Sequence, residues 1–123
     1  MTETSDTTDA TELARSYYDA IDAGDYDRFA DLLGAGVVHE RPDRTIEDRD
    51  ALVGFMRDDR PNKDTSHEIE AVFAEEQAGE DAPEVAVRGR LRDAEGNPMF
   101  EFVDAFEFES GEARIARIRT YTR

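Results

Sequence analysis

The stretch MFEFVDAFEFE, Met99 to Glu109, places phenylalanine at 100, 102, 106 and 108 and an aspartate at 104. Residues two apart share a face in an extended strand, so Asp104 falls in the middle of an aromatic row. If that row faces the interior, an isolated carboxylate there would cost more than folding tolerates. It must neutralise, pair with a cation or accept hydrogen bonds. Perturbed carboxyls gather in pockets, which makes Asp104 the leading candidate for acid/base chemistry. The competing readings are a buried acid satisfied by an arginine or by backbone amides, and a Phe row that faces a partner with Asp104 at its edge.

Other candidates surround it. Tyr17 lies on the apolar stripe of a helix, one turn after Leu13 and one before Ile21, so its hydroxyl needs a partner if the ring is buried. In VVHERP, His39 and Arg41 share a strand face with Val37, and Val38 and Glu40 share the other. If Val37 points inward, His39 is a candidate proton carrier and Arg41 a cation for Asp104. If Val38 does, both are surface residues. The only histidines are His39 and His67, and HERPD lacks the spacing of a zinc-protease helix, so no metal and no cofactor are expected. Arg88, Arg90 and Arg92 line one strand face and Arg117 and Arg119 another. With Glu101 and Glu107 between them in sequence, they predict a cross-strand ion-pair ladder.

The elements that must position these groups follow from periodicity. DATE predicts a capping box with Asp9 as N-cap and Glu12 three residues on. The first helix stops at Gly24, and Asp25 caps a second, short helix carrying Tyr26, Phe29, Leu32 and Leu33. GVVHERP reads as a strand, and a third helix runs from about Asp48 to Asp58. Four strands follow: HEIEAVFAEE with Ile69, Ala71 and Phe73 on one face, EVAVRGRLR, MFEFVDAFEFE and ARIARIRTYT. AGEDAP, EGNP and SGE mark the turns between them. Helices followed by antiparallel strands predict an α+β domain whose helices cover one face of a curved sheet. Residues 1–7 read as a flexible acidic tail and 8–123 as a single domain.

Composition narrows the partners. The chain of 123 residues has 31 acidic and 15 basic residues, a formal net charge of −16, and only Lys63 among its basic residues is lysine. Such a field repels phosphate backbones and anionic membrane surfaces, so neither nucleic acid nor membrane is expected as a partner. Close-spaced carboxylates with scarce lysine suit concentrated salt, where screening shortens to about 3 Å at 1 M. Adaptation to a halophile's cytoplasm is therefore the preferred reading of this acidity. There is no cysteine, which removes disulfides and thiol chemistry. The polar start MTETSDTTDA is unlike a signal peptide, and a cytoplasmic location is expected.

The pattern YYDAIDAGDYDRFADLLGAGVVHERP, then RDALVGFM, then FVDAFEFESGEARIARIRTY, resembles the nuclear transport factor 2-like superfamily, nearest to its SnoaL-like and ketosteroid isomerase-like branch. The resemblance covers roughly residues 8 to 123. It implies a cone: a strongly curved, mostly antiparallel sheet wrapped over three N-terminal helices and enclosing an apolar pocket, usually in a homodimer. In ketosteroid isomerases a tyrosine and a protonated aspartate donate to the developing enolate while a second aspartate moves the proton. Counting from the AGD turn, the tyrosine falls on Tyr17, the donor aspartate on Asp104 and the base on Arg41. An arginine cannot serve as base, so Glu40 or His39 would have to replace it. Arg41 would instead keep Asp104 ionised and paired.

Two functional readings follow. In the first, the protein performs acid/base chemistry of isomerase, cyclase or hydrolase type on a small apolar carbonyl compound. Asp104, Tyr17, His39 and Arg41 would act, and Leu33, Met56, Phe102, Phe106, Ile118 and Thr120 would line the cavity. In the second, the same shape is a non-catalytic ligand-binding or dimerisation module in which Arg41 and Asp104 form a structural ion pair.

Overall fold

Helix α1, Thr2–Ala23, buries Ala10, Ala14, Tyr17, Tyr18 and Ile21, a stripe spaced three and four residues apart that faces the sheet. The computed structural model describes residues 2–59, 64–75, 83–109 and 114–123. The helix begins at Thr2, so Asp9 lies within it and does not cap it. Its end is set by Gly24, at φ +69°. The Gly24 amide donates to the Ile21 carbonyl (3.0 Å) and the Asp25 amide to the Ala20 carbonyl (2.9 Å), a Schellman stop that only a left-handed residue completes. Asp25 then caps α2, Tyr26–Asp31, by accepting from the Arg28 amide.

Six strands form one curved, unclosed sheet: β1 (Leu33–Glu40), β2 (Thr45–Glu47), β3 (Ser66–Ala74), β4 (Val85–Arg92), β5 (Pro98–Phe108) and β6 (Ile115–Thr122), in the order β2-β1-β6-β5-β4-β3. All pairings are antiparallel except β1 with β6. Helix α3, Arg49–Gly54, is capped by Asp48 and runs into a π-helical turn, Phe55–Asp59, that covers the expected end of the third helix. Strand β2 has no counterpart among the sequence-based expectations. The architecture is the expected α+β arrangement of helices against a curved sheet.

Register shifts between Ile69 and Ala71, between Leu91 and Arg92 and between Glu107 and Phe108 bend the strands, as bulges do. The first of these corrects the reading of β3. The extra residue reverses the alternation, so Val72 turns inward and Phe73 outward, 55% exposed. EGNP forms the β4–β5 turn with Gly96 at φ +86°, whereas SGE and most of AGEDAP lie outside the described residues.

The core between helices and sheet is built from Tyr18, Phe29, Leu33, Val37, Leu52, Val85, Val87, Phe106, Ile115 and Ile118. Three expected cavity residues, Leu33, Phe106 and Ile118, are therefore sealed in the core. All three are fully buried and absent from the cavity lining, because close packing around them leaves no open space. The expected arginine ladder is present on the outer face. Arg90 pairs with Glu101 (3.1 Å), Arg92 with Glu68 (2.6 Å), Arg119 with Glu107 and Arg117 with Glu40.

Candidate functional site

Asp104 sits mid-strand on β5, opposite Val87 of β4 and Thr120 of β6, and only 6% of it is exposed. Its alternation partners Phe102 and Phe106 are buried with it, so the aromatic row does face inward. Two hydroxyls hold the carboxylate: Tyr18 Oη donates to Oδ2 and Thr120 Oγ1 to Oδ1, each at 2.6 Å. Burial pushes the Asp104 pKa up. The Thr120 and Tyr18 hydrogen bonds pull against that rise, as do, more weakly, the charges of Arg41 and of His67 when protonated. Tyr18 is held in its neutral form, its pKa raised first by burial and then by the adjacent Asp104 charge.

His39 stands behind Thr120. Val37 points inward, which settles the face of β1 and carries His39 into the core at 2% exposure. Its Nε2 lies 2.7 Å from Thr120 Oγ1. The threonine has one proton and gives it to Asp104 Oδ1, so Nε2 must be the donor and the neutral ring carries its hydrogen there. Nδ1 is then a buried acceptor without a partner among the described residues. Burial, with Arg41 second, lowers the His39 pKa to about 3, so the imidazole is neutral at physiological pH. His39 is not at the cavity surface, and it reaches Asp104 only through Thr120.

Arg41 corrects another expectation. It follows the last residue of β1, where its backbone N–H donates to the Arg44 carbonyl (2.8 Å) and turns the chain. The guanidinium lies over the Phe55 ring, 4.8 Å from its centroid, with Nε 3.8 Å from Asp43. No Arg41–Asp104 ion pair occurs among the described residues, because both Asp104 oxygens are taken by hydroxyls and the turn aims Arg41 at Phe55. Arg41 still borders the cavity as a cation, its Nε buried without a hydrogen bond among the described residues.

The cavity itself measures about 220 Å³. Ile21, Met56, Leu91, Met99, Phe100 and Phe102 supply apolar wall, and Tyr17, Arg41, Thr65, His67, Asp104, Thr120 and Thr122 supply polar groups. Predominantly apolar walls with a few convergent polar groups are the usual make-up of a small-molecule site. Thr65 Oγ1 is buried there with no partner among the described residues. Of the residues expected from sequence, Asp104, Tyr17, Arg41, Met56, Phe102 and Thr120 meet at this cavity. The hydroxyl on Asp104, however, comes from Tyr18 and not from Tyr17, whose ring packs against Tyr18, Phe29 and Phe106. Tyr18 stands four residues after Ala14 and three before Ile21, on the same buried stripe as Tyr17, so helical spacing marks both tyrosines and does not choose between them. His67 shares the inward face of β3 with Ile69 and is marked by strand alternation in the same way. Among the described residues no group of three or more His, Cys, Asp or Glu side chains could hold a metal ion.

Residues 14–118 match the SnoaL-like domain model. The chain belongs to the SnoaL-like family. Solved structures similar to this SnoaL-like protein agree on the fold. A protein from Kribbella flavida provisionally named a ketosteroid isomerase is 22% identical with a TM-score of 0.73, over 96% of this chain and 80% of that one. One from Sinorhizobium meliloti provisionally named a polyketide cyclase is 18% identical with a TM-score of 0.71, over 89% of this chain and 94% of that one. A SnoaL-like protein of unknown function from Burkholderia thailandensis is 20% identical with a TM-score of 0.73, over 94% and 96% of the two chains. No curated protein matches the chain. No helix among the described residues is long and apolar enough to cross a membrane.

Proposed function

We propose that this SnoaL-like protein is an enzyme that moves protons on a small, largely apolar carbonyl compound bound in the cavity, with Asp104 as a proton-handling carboxyl. The observation that carries the reading is the placement of Asp104: a buried acid on the cavity wall, gripped by two hydroxyls, with its pKa raised by burial. A carboxyl raised toward the working pH is better matched to proton transfer than one left at its ordinary value. Arg41, a cation on the same wall, supports the charge that grows on a carbonyl oxygen when an adjacent carbon loses a proton. The volume, below the roughly 300–1,000 Å³ of drug-sized pockets, argues for a compact substrate. The names of the isomerase-like and cyclase-like neighbours agree with such chemistry without specifying it.

The test uses 3-cyclohexen-1-one and ethyl acetoacetate in deuterated water, with α-proton exchange and double-bond migration followed by proton NMR. The wild-type protein should exchange both faster than buffer. Asp104→Asn should stay folded and lose about 100-fold or more of the rate, the usual contribution of a positioned acid or base. Full activity in a folded Asp104→Asn variant would remove Asp104 from the chemistry. Binding of these ketones without exchange would instead favour a non-catalytic ligand-binding module.

A further inference from the structure

His67 lies on the wall of the same cavity. It is held from outside by Asp22, near the end of α1. Asp22 Oδ1 lies 2.7 Å from His67 Nδ1, and Oδ2 accepts from the His67 backbone N–H at 3.0 Å. A carboxylate oxygen only accepts, so Nδ1 carries the hydrogen of that short contact, and in the neutral ring the lone pair lies on Nε2. Nε2 makes no hydrogen bond among the described residues, and with Nδ1 held by Asp22 it is the ring nitrogen free to serve the cavity that His67 lines. The ring is further fixed between Tyr18, centroids 5.0 Å apart, and Phe102, 5.6 Å away and edge-on. Asp22 itself stands in the last turn of α1, which has no basic residue. An acid is disfavoured there by the helix dipole, so its position does not serve the helix.

We propose that His67 and Asp22 form a catalytic base dyad for the carbonyl chemistry of this cavity, His67 Nε2 taking a proton from the carbon next to the carbonyl and Asp22 positioning the ring. The inference rests on the proposed function and supplies what Arg41 cannot, a base. In the step, the C–H bond breaks and its proton goes to Nε2. The C–H electron pair becomes a carbon–carbon π bond, and the carbonyl π pair moves to oxygen, on the side of the Arg41 cation. Once solvent has replaced the proton on Nε2 with a deuteron, its delivery to the same carbon gives exchange, and delivery of the proton or deuteron two carbons away across an unsaturated bond gives isomerisation. No oxidant, reductant or metal is required by this balance. The substrate class is accordingly a compact ketone or β-dicarbonyl compound with an acidic C–H and a mainly hydrocarbon remainder. His67 is the catalytic residue and Asp22 a positioning residue.

A purely structural reading would make the pair a strap between α1 and β3, so the variants are chosen to keep the strap. His67→Asn retains an amide N–H where Nδ1–H stands, and Asp22→Asn retains an acceptor without the charge. Exchange into 3-cyclohexen-1-one and ethyl acetoacetate should fall about 100-fold or more in His67→Asn and about 10-fold in Asp22→Asn, with melting temperatures near wild type. Nitrogen-15 NMR of the two histidine rings supplies a readout independent of turnover. The His67 neutral ring should be the Nδ1–H form with a bare Nε2 in wild type, and a mixture of tautomers in Asp22→Asn. Exchange that survives His67→Asn but is lost in Asp104→Asn overturns the dyad and leaves the proposed function standing. Loss in His67→Asn with full activity in Asp104→Asn does the reverse for the role of Asp104. A wild-type His67 ring protonated on Nε2 when neutral overturns the dyad by itself, and a wild-type protein that exchanges neither ketone overturns both.

Discussion

At the scale of single residues, the site is a short chain of hydrogen bonds whose direction is fixed by chemistry. His39 donates to Thr120, Thr120 to Asp104, and Tyr18 to the other oxygen of Asp104. Between acid and neutral pH, two buried displaced groups, His39 and Asp104, act with opposite signs. His39 has a folded pKa of about 3 against an ordinary 6.5, so between these values the unfolded chain binds the extra proton. Its contribution to stability is complete above pH 6.5 and is lost as pH falls toward 3, by up to about 1.4 kcal/mol per pH unit. Asp104 is displaced upward, so the folded state holds its proton more tightly, and burying the charge costs stability as pH rises from the ordinary carboxylate range. His39→Gln keeps an amide donor for Thr120 but cannot titrate. Its acid-unfolding midpoint, followed by circular dichroism, should therefore lie at lower pH than that of the wild type. Coinciding curves would mean that His39 does not carry the acid sensitivity.

At the scale of elements, the cavity lies where the bent strands meet the C-terminal half of α1, lined by Tyr17 and Ile21 on one side and by strand residues such as Leu91 and Phe102 on the other. Gly89 shows how tightly that bend is made. A methyl group on it would meet the Glu68 carbonyl at 2.4 Å and the Phe102 ring at 2.8 Å. The first contact is backbone across the β3–β4 pair and the second is a cavity wall. Gly89→Ala should therefore lower stability by about 1–3 kcal/mol, the usual cost of overpacking, and weaken ketone binding by pushing Phe102 into the cavity. Thermal unfolding and a ligand titration check the two effects, and an unchanged melting temperature would show that β3 yields freely. The end of α1 works in the same way on position. The Schellman stop at Gly24 fixes the last turn, and that turn holds Asp22 under His67 at the start of β3.

At the scale of the whole molecule, the carboxylates dominate. The outer face of the sheet neutralises some of them in ion pairs, but the paired side chains are about a third to a half exposed, and such pairs contribute little individually. Self-repulsion from a net charge of −16 is left to the solvent to screen. The melting temperature should therefore rise as potassium chloride is raised from 0.1 M to 2 M, and equal stability at both would count against adaptation to concentrated salt. The same outer face carries Val103 and Tyr121 opposite each other on β5 and β6, both exposed, with Phe73 on β3.

The sequence by itself determined the order of elements apart from β2, the aromatic row of β5 and the oddity of Asp104 within it. Each of these rests on local period: two residues in a strand, three and four in a helix, with Gly24 and Asp25 as punctuation. It also carried enough of the family pattern for the cone to be expected. Only the tertiary structure decided which neighbours Asp104 has. Tyr18 and Thr120 lie 86 and 16 residues from it, and no local period chooses Tyr18 over Tyr17. The same holds for Phe73, turned outward by a bulge whose extra residue leaves no mark in the alternation. Arg41 stayed away from Asp104 because a turn after β1 lays it over Phe55. Asp22 and His67, 45 residues apart, meet only because α1 ends where β3 begins. Long-range contacts of this kind are set by how bent strands and helix ends pack together, and that geometry is a property of the folded chain.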